Sequence, residues 1–138
     1  MMKITQLCSA SNLICEDFGY RGKLKKLPNM IKYAPQHLIF DGIKTTRLLY
    51  YKPSYDDRYI ELSRDEINSI KIWNQDINKV LVFIFNYRVN KYTIFNVDEI
   101  NRKMFTCKKE TINNFLFDNN SFTWYNITDK LELGLYGR

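Results

Sequence analysis

Apolar positions recur with two different periods along this chain, and the order in which the periods change is its most informative feature. His37 to Ile43 alternates loosely around Leu38-Ile39-Phe40, and Arg47-Leu48-Leu49-Tyr50-Tyr51-Lys52 follows the turn pair Asp41-Gly42. These two runs predict a β-hairpin over residues 38 to 52, ended by Pro53. Arg58 to Leu62 predicts a short extended piece. The period then lengthens: Ile67, Ile70, Trp73, Asn74 and Ile77 fall on one helical face, with Asn78 as the stop. Its start is the sharpest local signal in the chain. The Ser63 hydroxyl is placed to accept from the backbone N–H of Glu66 while the Glu66 carboxylate reaches back to Ser63, and Leu62 and Ile67 form a hydrophobic staple. Val80 to Phe85 is apolar at every position, as a strand covered on both faces requires, and Tyr92 to Val97 returns as its neighbour. Asp98 caps a short helical turn through Met104.

The flanks are less regular. Ile4, Leu7, Cys8, Leu13, Ile14, Cys15 and Phe18 lie near one stripe, which predicts an amphipathic helix over 4–18 stopped by Gly19. Thr106 to Phe117 predicts a strand running into a short helix, and Phe122 to Ile127 and Leu131 to Leu135 predict two more strands. No repeat, linker or break in composition divides the chain. Residues 1–138 are therefore expected to form a single α+β domain, with a mixed β-sheet of about five strands centred on Val80 to Phe85 and a capped amphipathic helix on one face.

Composition adds little to the fold and more to the function. At 45% hydrophobic and 26% charged residues the chain is ordinary for a globular protein, which excludes a disordered or fibrous one. The net charge of +6 is unevenly spread. Residues 1–60 carry ten Lys or Arg against five Asp or Glu and the remainder eleven against ten, so five of the six net charges lie in the first part. Such a bias suits a polyanion or a solvated face. Cys8, Cys15 and Cys107 form no Cys-x-x-Cys pair, and with a single histidine the zinc patterns are excluded. An odd cysteine count points to a reducing, cytoplasmic setting, and no apolar run is long enough to cross a membrane as a helix.

Several chemistries are absent from the sequence. There is no phosphate-cradling glycine motif, and no serine or cysteine stands in a nucleophile elbow. His37, just before an apolar strand, reads as a structural or surface residue. The segment from Gly19 to Pro28 has two glycines, four cations and no acid. Tyr20, Arg21, Lys23, Lys25 and Lys26 are its candidates for contact with phosphates and bases. Tyr50, Tyr51 and Tyr55, close to cations in sequence, are further candidate stacking platforms, against a background in which most aromatics pack cores.

The succession of helix, β-hairpin, helix and buried strand over residues 4 to 97 resembles the PD-(D/E)xK nuclease family. In that family an acid ends the first hairpin strand and an acid-x-lysine triplet lies on the second. The resemblance implies that Asp41 is the first acid, that Lys52 in Tyr50-Tyr51-Lys52 is the lysine, and that Glu16 is a supporting acid. It also implies Mg²⁺ held by Asp41 and Glu16, polarising a scissile phosphate. Glu61 is a further acid near enough in sequence to contribute. The chain departs from the family at Tyr50, which stands where the second acid belongs. The expected function is accordingly interaction with nucleic acid, as a metal-dependent nuclease or as a catalytically degenerate relative. The alternative is a small non-enzymatic module that binds a protein partner, as an inhibitor or assembly subunit.

Overall fold

The computed structural model describes residues 14–17, 32–40, 46–74, 79–101 and 105–127. Nine strands, two α-helices and one 3-10 turn are assigned among them: β1 Ile14–Asp17, β2 His37–Phe40, β3 Thr46–Ser54, β4 Tyr59–Ser63, α1 Arg64–Trp73, β5 Lys79–Asn86, β6 Lys91–Asn96, α2 Asp98–Asn101, β7 Cys107–Glu110, β8 Asn114–Asp118, the 3-10 turn Asn119–Ser121 and β9 Tyr125–Asn126. A mixed sheet takes six strands in the order β1-β2-β3-β5-β6-β9, and β4-β8-β7 form a second sheet. Among the described strands only the β3–β5 pairing is parallel. A parallel neighbour cannot be reached by a tight turn, so the chain between them makes a crossover through β4 and α1.

The expected central strand is β5, and the reason is visible in its side chains. Val80, Val82 and Ile84 pack with Ile67 and Ile70 of α1 and with Ile60, Leu62 and Phe117 of the second sheet. Leu81, Phe83 and Phe85 pack on the opposite face with Ile39, Leu49, Tyr92 and Ile94. A strand with a core on each side has no polar face to show, hence the unbroken apolar run. The hairpin is also present, with Leu38 opposite Leu48. It extends one residue past Pro53, where β2 has already ended and a missing ladder donor is tolerated.

Helix α1 begins as its sequence specifies. The Ser63 side chain accepts from Glu66 N–H, and the Glu66 side chain accepts from Ser63 N–H. It ends at Trp73, earlier than the expected Asn78, because Asn74 leaves the helix to work as a clamp. Its side-chain oxygen accepts the Val80 N–H at 2.8 Å and its amide donates to Asp98 at 2.9 Å, tying the helix end to the start of β5.

Three expectations are corrected. Residues 14–17 are strand rather than the last turn of a helix: they pair with β2, Ile14 opposite Phe40 and Asp17 opposite His37. Residues 106–117 make no helix but most of a second hairpin, β7–β8, whose apolar side closes over α1 through Phe115 and Phe117. The strand expected over 122–127 shrinks to Tyr125–Asn126, a two-residue edge on β6. The expected α+β domain with a mixed sheet of about five strands stands, the two-residue β9 making the sixth strand among the described residues. The expected strand at 131–135 lies outside the described residues, and no described helix is long and apolar enough to cross a membrane.

Two substitutions test this packing by chemical denaturation. Phe83→Ala empties a fully buried ring site and should cost about 3–5 kcal/mol. Ser63→Ala removes only the cap acceptor and should cost about 1 kcal/mol.

Candidate functional site

Along β3, Leu48 and Tyr50 pack into the cluster beneath α1, and Lys52 continues that alternation toward the helix N-terminus. The capping geometry decides what meets them. As the third residue of α1, Glu66 must turn its carboxylate back toward Ser63, and this aims it at β3. Oε1 accepts from Lys52 Nζ at 2.6 Å and from the Ser63 N–H at 3.1 Å, while Oε2 accepts the Tyr50 hydroxyl. The Glu66 side chain is only 5% exposed and that of Lys52 25%. A carboxylate so deeply placed is tolerable because its donors replace water and one of them is a cation.

This cluster sits at the inner wall of a cleft of about 560 Å³, also lined by Tyr33, Tyr55, Asp56, Tyr59 and Glu61. The turn at its mouth is held from below: Asn86 Nδ2 donates to the Asp56 carbonyl at 2.9 Å and Asn119 Nδ2 at 3.3 Å. The Arg58 N–H, 2.8 Å from the Asp56 carboxylate, keeps that acid below its usual range.

The residues expected to act are distributed as follows. Asp41, Tyr20, Arg21, Lys23, Lys25 and Lys26 lie outside the described residues. Glu16 lies on β1 opposite Leu38, which in turn faces Leu48, four positions before Lys52. The hairpin end that leads into Asp41 is remote from Lys52. Phe40 pairs with Thr46, six residues earlier on β3 than Lys52, about 20 Å along the strand. Lys52 meets Glu66 instead. The same register, continued one step past His37–Leu49, sets Pro35-Gln36 beside Tyr50, and the Gln36 N–H donates to the Leu49 carbonyl at 3.1 Å. His37 is buried, in keeping with a structural role.

No family profile and no curated protein matches the chain. A solved structure does. The Holliday junction resolvase Hjc of Archaeoglobus fulgidus superposes with a TM-score of 0.61 at 16% identity, covering 91% of each chain. The likeness is one of fold: a mixed α+β domain consistent with a nuclease-like fold. Just before β2 and on β3, Gln36 and Tyr50 thus bring an amide and a phenol, not acids, to the strand that carries Lys52. A hard divalent cation wants convergent carboxylate oxygens. Both oxygens of Glu66 are already engaged, and among the described residues no three acids, histidines or cysteines converge. The described residues do not fit a magnesium site.

Glu66 and Gln36 were both missed by sequence reasoning. Glu66 was spent entirely on the cap, although a third helical residue that caps must also face the strand feeding the helix. Gln36 was hidden by an aspartate five residues later in a good turn.

Removing either partner should expose how the cluster is held. Glu66→Ala leaves an ammonium, a phenol and a backbone N–H without their acceptor and should cost about 2–4 kcal/mol. Lys52→Met should cost less, being partly solvated. In a double-mutant cycle read by urea denaturation, the pair together should cost less than the sum of the two.

Proposed function

We propose that this protein binds nucleic acid on its nuclease-like fold without hydrolysing it. The observation that carries the reading is the contact of Glu66 with both Tyr50 and Lys52. In a phosphodiesterase of this fold the lysine serves the attacking water or the developing charge on phosphate, and the acids hold the metal. Here the lysine's charge is met at 2.6 Å by a buried carboxylate, and Gln36 and Tyr50 bring no negative charge with which to gather a cation. What remains of the equipment is suited to holding a polyanion. The concentration of positive charge in residues 1–60 supplies the long-range attraction. Tyr20, Arg21, Lys23, Lys25 and Lys26 supply the phosphate contacts in this reading, in a cytoplasmic setting that suits the cysteine pattern.

Fluorescence anisotropy with labelled four-way junction, duplex and single strand, repeated across a salt series, tests binding. Mg²⁺ or Mn²⁺ incubation of the same probes tests cutting. Affinity should fall steeply with salt, and joint replacement of Lys23, Lys25 and Lys26 by Gln should flatten the slope by roughly one unit for each lysine that meets a phosphate. Metal-dependent cutting that disappears in Asp41→Asn, Glu16→Gln or Glu66→Gln would overturn the non-hydrolytic reading. Failure to bind any probe at low salt would instead favour the protein-interaction module.

A further inference from the structure

At the rim of the Lys52 cleft stands an aromatic pair unlike the others among the described residues. Tyr55 is 68% exposed, and its ring lies nearly parallel to that of Tyr87, centroids 5.2 Å apart and planes 15° from coplanar. Large rings are seldom left so open, and this one is fixed rather than loose. Tyr87 is held edge-on by Phe85 at 4.7 Å and through its hydroxyl by Tyr51 at 2.8 Å. Tyr51 is stacked on Phe83, and Phe83 on Tyr92, in the core. Burial, then the hydrogen bond to Tyr87, pushes the Tyr51 phenol above its ordinary value. The turn that carries Tyr55 is pinned by Asn86 and Asn119 through the Asp56 carbonyl.

The charges around the pair decide what could land on it. Asp56 is 3.9 Å from Arg58 and Asp57 3.7 Å from Arg88, so each acid of the turn has a cation beside it. Glu66 is matched by Lys52. Glu61, on the cleft wall, disfavours phosphate. The rim is therefore close to neutral and aromatic, suited to the flat, uncharged face of a base, while the basic first part of the chain suits the backbone.

Resting on the nucleic-acid reading above, we infer that the Tyr55–Tyr87 stack receives an unpaired nucleobase, and that the preferred substrate is nucleic acid with unpaired bases rather than intact duplex. A base can lie on an exposed ring only once it has left its own stack, which a single strand, a bulge or a branch point allows at small cost.

The test compares a labelled single strand, a duplex with a one-base bulge and a blunt duplex, against wild type and three substitutions of Tyr55. Tyr55→Ala should weaken single-strand and bulge binding by roughly tenfold or more and leave blunt-duplex binding unchanged. Tyr55→Phe should bind like wild type, because the ring is kept. Tyr55→Trp should also bind, and its added indole emission should be quenched by the strand. Equal losses on all three probes, or a Tyr55→Phe as damaging as Tyr55→Ala, would overturn base stacking. Unchanged affinity in Tyr55→Ala with salt-sensitive binding intact would overturn it too, while leaving the nucleic-acid reading standing. Wild type that binds none of the probes would overturn both.

Discussion

One carboxylate joins the two halves of the crossover. Glu66 closes the N-terminal cap of α1 by accepting the Ser63 N–H on Oε1, which also takes the Lys52 ammonium, while Oε2 takes the Tyr50 hydroxyl of β3. The strand that enters the crossover is thereby fastened to the helix that carries it back to β5. Position adds to the effect: Asp65 and Glu66 lie in the first turn, where the helix dipole favours negative charge, and Lys71 lies in the last. Few single side chains could be removed with consequences for the cap, the sheet and the cleft at once.

The architecture around this link was largely legible in the sequence because its signals were local and mutually consistent. A capping box with a staple specifies where α1 starts, whatever the rest of the chain does. Six consecutive apolar residues in Val80 to Phe85 admit a strand buried on both faces more readily than a helix of the same length, and β5 is that strand. The alternation either side of Asp41-Gly42 specified the β2–β3 hairpin.

What was not legible depended on partners distant in sequence. Residues 14–17 have a helical spacing of apolar positions, yet they are strand because β2 offers an unpaired edge that a helix would leave unsatisfied. The β7–β8 hairpin was obscured because β7 is exposed throughout and so lacks any apolar alternation. The candidate site suffered more. Capping explained Glu66 so completely that a second role left no trace in the local pattern, and the true neighbour of Tyr50 is fixed by a strand register that Asp41-Gly42 suggested only in part.

The neutrality of the cluster has a thermodynamic side. Where several carboxylates converge, as in a metal-dependent enzyme, their mutual repulsion taxes the folded state until an ion arrives, so ion binding and stability are linked. At this corner an amide, a phenol, an ammonium and one carboxylate already sum to zero. That corner carries no like-charge repulsion for an ion to relieve.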